Sequence, residues 1–313
     1  MKKYLLPTLL AASLTIIGLS ACDTSAASIN LDETATADSG ASRATYSWSS
    51  SAQYGSKAIS PYTFYNCEWG MVSGSSQTLY VNSANDWYVS AYQPYSTGGI
   101  KSYPNISVTA SNKAVSSLTA TSTFSTTTPS SGIWDQAYDV WVKGASQNCN
   151  NSSTVTYEIM LWTNWIQGKM WPISDAYAYS STYAAWVPSP VVSSVTVGGR
   201  TWALYIGNNG SNAVYSFLAT SKTNNATIDI AAILKWLQAN KNPSDFTSAT
   251  YYAANNSKDS FVADKGKAYL PSNAYLYQSQ FGWEIVSTTS TASSSATPAT
   301  LTFKAKAYSH TSY

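Results

Sequence analysis

The chain has 313 residues with 17 basic and 15 acidic side chains, a net charge of +2, and 10% charged against 44% hydrophobic residues. So small a charge, with no basic run, excludes a nucleic-acid partner, because phosphates demand a cationic face. A single histidine, His310, and three cysteines leave no Ser-His-Asp triad, Cys-His pair or His-ligated metal, and no metal or other cofactor is expected.

In chain order, Met1-Lys2-Lys3, the apolar run Tyr4 to Leu19 and the small residues before Cys22 have the layout of an export signal over residues 1–21. Leu19-Ser20-Ala21-Cys22 resembles the lipobox of bacterial lipoproteins. That resemblance implies a diacylated Cys22 and an exported protein anchored by lipid to a bacterial membrane, on its periplasmic or cell-surface face. Residues 22–45 are rich in Ser, Thr and Ala, have almost no large apolar side chains beyond Ile29 and Leu31, and read as a flexible tether. Residues 46–313 form one domain with no second linker.

Within the domain, short β-rich runs such as Leu79 to Val89, Tyr138 to Val142, Val155 to Trp162 and Trp202 to Ile206 are separated by Gly, Asn, Ser and Pro. This pattern predicts an all-β sandwich or jelly roll. The Ser/Thr-rich segments Thr119 to Ser131 and Ser287 to Thr300 read as loops or hairpin tips. Asp175 to Ser194, with Tyr177, Tyr179, Tyr183 and Trp186, reads either as a packed surface loop or as an extension of a groove. Ile230, Ile233, Leu234 and Leu237 have helical spacing between Asp229 and Asn242-Pro243, which predicts one helix packed on the outside of a sheet. The 12 Trp and 24 Tyr beside many Ser, Thr and Asn suit neutral sugars, though such rings also fill β cores. With Cys22 lipidated, Cys67 and Cys149 remain as an even pair, and a disulfide between them is expected in an oxidising compartment.

With His and Cys chemistry excluded, carboxylates must carry any catalysis, and the domain has three glutamates: Glu68, Glu158 and Glu284. Side chains alternate faces along a strand. In Val155-Thr156-Tyr157-Glu158-Ile159-Met160-Leu161-Trp162, the core face is Val155, Tyr157, Ile159 and Leu161, so Glu158 shares the opposite face with Met160 and Trp162. In Gln280-Phe281-Gly282-Trp283-Glu284-Ile285, Glu284 lies opposite Phe281, Trp283 and Ile285, and Gly282 leaves room beside the acid. Asp139 and Trp141 likewise lie opposite Tyr138, Val140 and Val142. Mid-strand acids are disfavoured, which marks these three.

Tyr157-Glu158-Ile159-Met160-Leu161-Trp162 resembles the nucleophile strand of family-12 glycoside hydrolases, and Gln280-Phe281-Gly282-Trp283-Glu284 resembles their acid/base strand. The match continues in order through Asn66-Cys67-Glu68-Trp69-Gly70, Lys101-Ser102-Tyr103-Pro104-Asn105, Tyr138-Asp139-Val140-Trp141, Val197-Gly198-Gly199, Trp202 to Gly207 and Val214-Tyr215-Ser216-Phe217. The resemblance implies a jelly-roll sandwich of two antiparallel sheets with one helix and an open groove for β-1,4-glucan. It implies retaining endo-hydrolysis of cellulose-type chains, mixed-linkage glucan or xyloglucan, with the two carboxyls about 5–5.5 Å apart. Glu158 is then the nucleophile, Glu284 the acid/base, and Asp139 the acid that orients the nucleophile. Trp69 corresponds to a sugar-stacking platform, Met160 and Trp162 to the groove beside Glu158, and Pro172, Ile173 and Asn209 to further groove positions. Cys67 stands where the family usually has Asn. The protein is expected to be a monomer. The alternative is a non-catalytic surface glycan-binding lipoprotein on the same fold, against which the three acids argue, since binding alone does not need them.

Overall fold

The structure, a computed structural model, describes residues 46–145, 154–166, 168–174, 176–209, 213–241, 266 and 268–311. The expected signal, Cys22 and tether, together with Cys149, Asp175 and Asn242-Pro243, lie outside these residues. The chain begins with β1 (Trp48–Ser50), β2 (Ser56–Ile59), β3 (Tyr62–Tyr65), β4 (Ser76–Ser83), β5 (Asp86–Tyr92) and β6 (Asn105–Ala114). It continues through β7 (Thr121–Thr127), β8 (Ile133–Ala145), β9 (Thr154–Trp165), β10 (Tyr177–Ser180), β11 (Ala185–Pro188) and β12 (Val192–Val197). Then come β13 (Arg200–Asn208), β14 (Ala213–Ala219), β15 (Asn225–Asp229), α1 (Ile230–Ala239), β16 (Tyr275–Ser287) and β17 (Leu301–His310).

A six-stranded sheet, ordered β1-β4-β5-β17-β7-β15, packs on a nine-stranded sheet, ordered β12-β13-β14-β9-β8-β16-β6-β3-β2. This is the jelly-roll sandwich expected from the sequence, with two refinements. β9 and β14 pair in parallel, because the chain returns through β10 to β13 before laying β14 beside β9. β10 and β11 form a separate two-stranded ribbon.

The core lies between the sheets, where period-2 alternation sends one side of each strand inward. Trp87, Trp134, Tyr138, Phe281, Trp283 and Phe303 are all almost wholly buried there. Their rings meet tilted or edge-on, Trp87 to Trp283 at 4.8 Å and Tyr138 to Phe281 at 4.7 Å. Such pairs add about 0.5–1.5 kcal/mol each beyond the burial of their area.

Three local expectations change. The run Leu79 to Val89 is two strands, β4 and β5, hinged at Ala84-Asn85. Thr119 to Ser131 contains β7, in which Ser122, Phe124 and Thr126 alternate inward, so β-branched threonines build a strand despite their polarity. The helix forms as expected, and the Asp229 carboxylate accepts from Ala232 N at 2.8 Å as its cap. Its buried face, Ile230, Ala231, Ile233, Leu234 and Leu237, continues the inter-sheet core instead of covering the outside of a sheet.

Candidate active site

The outer face of the nine-stranded sheet carries the acids, because β8, β9 and β16 give their other face to the core. Register aligns Glu158 on β9 with Trp141 on β8 and Val214 on β14. Glu284 on β16 lies opposite Asp135 on β8, and Gln280 lies opposite Asp139. Asp139 therefore sits along β8 between the positions that face the two glutamates. Beneath them an apolar floor forms from Ala137, Met160, Trp162, Val214, Leu218 and Val286. Met160 and Trp162 are 5% and 2% exposed, so they are packed floor, not an open stacking wall.

Two glycines admit crossing backbone onto this face. A Cβ on Gly207 would lie 2.5 Å from Ile173 Cγ2 and 2.9 Å from Ser174 N, which fixes the segment carrying Pro172 and Ile173 over β13. A Cβ on Gly282 would meet Pro104 O at 2.1 Å. The space beside Glu284 is thus occupied by the Pro104-Asn105 backbone and is not left open for the acid. Trp69 approaches from the far side of β16: Trp69 N and Gly70 N donate to Lys101 O at 3.0 and 2.9 Å, and Lys101 N donates to Ile285 O at 2.8 Å. Trp69 is half-buried there. Cys67 is disulfide-bonded, with its expected partner Cys149 outside the described residues.

Four carboxyls share this enclosure. Burial first, then the carboxylate of Asp135, its hydrogen bond and the charge of Glu158, push Glu284 well above the ordinary carboxylate range. Glu158 is raised by burial to about 7 and held down by Asn209, whose Nδ2 donates to Glu158 Oε2 at 2.7 Å. It keeps part of its surface accessible. Asp139 is raised by burial and then by Glu158 and Glu284, while a hydrogen bond from Trp141 opposes this. Trp141 Nε1 also reaches Gln280 Oε1 at 3.3 Å. Glu158 acts on Asp139 through its charge, which favours a proton on Asp139.

Asp135 is the residue that sequence reasoning missed. It is fully buried and raised to about 8, first by desolvation, and its side chain is hydrogen-bonded to Glu284. The Glu284 backbone N–H approaches the Asp135 carboxyl, and no N–H or hydroxyl donor reaches Glu284 Oε2. A hydrogen bond between two acids requires a proton on one of them, so the pair shares one and titrates as a unit. The signal was available: Asp135 has the same strand parity as Ala137, Asp139 and Trp141, but the run recognised in the sequence began only at Tyr138. Tyr103 also belongs here, with its hydroxyl donating to Ala137 O at 3.1 Å beside Asp139, Glu284 and Asp135.

Glu68, the third glutamate, does not join the site. It is buried beside Asn66, whose Nδ2 donates to it at 2.6 Å, and Asn66 belongs to a polar network with Gln77, Gln93 and Ser102. Among the described residues no group of three or more His, Cys, Asp or Glu has a geometry that holds a metal ion.

Residues 60–310 match the model of glycosyl hydrolase family 12. The chain belongs to glycosyl hydrolase family 12. It is a glycoside hydrolase. A probable xyloglucan-specific endo-β-1,4-glucanase A of Aspergillus terreus is 34% identical over 198 residues, covering 60% of this chain and 72% of the relative. The xyloglucanase domain of a type three effector from Sinorhizobium fredii, solved with cellobiose, superposes with a TM-score of 0.60 at 31% identity, covering 86% of this chain and 100% of that one. A native family-12 xyloglucanase from Bacillus licheniformis shares the fold at 22% identity, with a TM-score of 0.60, covering 85% of this chain and all of that one.

Proposed function

We propose that this family-12 hydrolase is a retaining endo-β-1,4-glucanase whose preferred substrate is xyloglucan. The observation that carries the mechanism is the unequal treatment of the two glutamates. Asn209 stabilises the charged form of Glu158, whereas Asp135 and Glu158 both act to keep a proton on Glu284. The first to ionise is then Glu158, the nucleophile, and the proton donor is Glu284.

In the first step a Glu158 oxygen attacks the anomeric carbon as its bond to the glycosidic oxygen breaks, and Glu284 gives its proton to that oxygen. In the second, Glu284 takes a proton from water, the water oxygen attacks the same carbon, and Glu158 is released as carboxylate. Asp135 acts through Glu284, its charge and hydrogen bond opposing ionisation of that acid, while Asp139 is itself kept protonated by burial and by the charges of Glu158 and Glu284.

The preference for xyloglucan is supported by the names of the relatives, including the effector domain at 31% identity. The test is release of reducing ends from xyloglucan, carboxymethylcellulose and mixed-linkage glucan between pH 4 and 8, with the product anomer read by NMR. A β-anomer appearing first is expected. Release from none of the three overturns the enzymatic reading, and an α-anomer overturns the role of Glu158.

Export and lipid attachment at Cys22 complete the proposal, supported by Met1-Lys2-Lys3, the apolar run after it and Leu19-Ser20-Ala21-Cys22. Intact mass of the protein extracted from a bacterial membrane tests it, and a mature chain without acyl mass at Cys22 refutes it.

A further inference from the structure

The ribbon of β10 and β11 is rooted in the active-site face. Ser189 N donates to Ala176 O at 2.8 Å, and Ser174 Oγ bonds Ala176 O at 2.9 Å and Ser189 O at 3.3 Å, tying both ends of the ribbon to one serine. Ser174 and Ile173 lie on Gly207, which pairs with Val214, which in turn pairs with Glu158. The root is therefore two strand spacings, about 10 Å, from the nucleophile's strand and on the same face. At its other end Tyr183 closes against Gly168 and meets Trp171 edge-on at 5.3 Å. Held at root and tip, the ribbon is an ordered wall and not a loose loop.

Its two faces differ in kind. Tyr179 pairs with Trp186 and Tyr177 with Pro188, so three rings and a proline share one face, while Ala178, Ser180, Ala185 and Val187 take the other. The Tyr179 and Trp186 rings stand at 77° with centroids 6.2 Å apart, forming a corner that offers one ring face and one edge. Tyr179 is 60% and Trp186 51% exposed. Of the five exposed large hydrophobic side chains among the described residues, four, namely Ile173, Tyr179, Tyr183 and Trp186, belong to this one segment. An apolar patch so concentrated marks a binding surface. From Ala176 to Gly199 the sequence carries no Asp, Glu, Lys, Arg or His. A charged partner finds nothing there to recognise it, whereas a neutral pyranose can lay its C–H face on a ring and its hydroxyls on the surrounding Ser and Thr.

We propose that the ring face of this ribbon is a second glycan-binding site, continuous with the catalytic groove, that holds the length of a β-glucan chain lying beyond the carboxylates. The assignment rests on the glucanase reading above and adds a length dependence to it. Because the ribbon is already ordered, little is lost in arranging it on binding.

The experiment uses the full chain with Tyr179→Ala and Trp186→Ala together, in the active protein and in a Glu158→Gln background. Isothermal titration of the Glu158→Gln forms with polymeric xyloglucan should show dissociation weakened about tenfold by the double change, against less than about twofold with cellotetraose. In the active protein KM for the polymer should rise by the same factor with kcat preserved, and the thermal midpoint should hold. Equal affinity for the polymer in both forms overturns the proposal, as does equal weakening for polymer and tetramer, which makes the ribbon only a support of the groove. A parent that dimerises in sedimentation while the double variant does not, with polymer affinity unchanged, also overturns it in favour of a second copy as occupant. If the parent itself releases no reducing ends from any β-glucan, it is the glucanase reading that fails, an outcome read separately from the affinity ratio.

Discussion

Replacing Asn209 by Ala removes the one hydrogen bond shown to hold Glu158 in its charged form, the 2.7 Å contact from Nδ2 to Oε2. A hydrogen bond to a charged group contributes about 1.5–3 kcal/mol. One pH unit of proton affinity corresponds to about 1.4 kcal/mol, so complete loss amounts to roughly one to two units. Glu158 keeps part of its surface open, and water there replaces part of the lost donor, which brings the expected shift to about one unit. The sign follows from the role: Asn209 favours the carboxylate, its loss raises Glu158 above about 7, and the nucleophile then ionises only at higher pH. The ascending limb of kcat/KM against pH, measured on a cello-oligosaccharide with a chromogenic leaving group, should move up by about one unit while the descending limb stays. An ascending limb that does not move, with activity lowered equally at every pH, refutes the reasoning and leaves Asn209 as a sugar contact alone.

Glu158→Gln and Glu284→Gln should each nearly abolish turnover yet raise the thermal midpoint at pH 8. Both acids bind protons more tightly folded than unfolded, so they cost stability progressively as pH rises from the ordinary value of 4.5 toward their raised values. An unchanged or lower midpoint argues against that account. Asp135→Asn should collapse the shared titration with Glu284 into one step and lower the proton affinity of Glu284, as followed by carboxyl NMR; a Glu284 titration unaltered by the change refutes the pairing. Glu68, pushed up to about 7 by burial, has the same sign outside the site. Glu68→Gln should flatten the fall of the midpoint between pH 5 and 8 by roughly 2–4 °C, equivalent to about 1 kcal/mol in a domain of this size, and a slope identical to the parent's rejects it.

What the sequence revealed followed from alternation. Glu158, Glu284 and Asp139 each interrupt an apolar strand in which every second residue is large, so their shared face was legible without coordinates. Asp135 was not, because its strand reaches back through Gln136 and Ala137, where β8 shifts register against β9, and the apolar rhythm is broken there. β7 was hidden by composition, since Ser and Thr serve strands and loops alike. The hinge between β4 and β5 has no glycine or proline to announce it. The parallel partnership of β9 with β14 and the descent of Ile173 onto Gly207 join segments distant in sequence, and no local pattern encodes either.

The order of strands also dictates when the molecule can begin to work. The two most C-terminal of the described strands are not additions at an edge: β16 is inserted between β8 and β6, and β17 between β5 and β7. Until residues 275–310 emerge, each sheet is split down its middle, with two facing rows of backbone donors and acceptors left open to any other strand. The strand that closes the larger gap is the one that bears Glu284. Closure of the sheet and arrival of the proposed proton donor are one event, so on that reading a chain cut short of β16 forfeits its chemistry and exposes its most adhesive edges at the same moment.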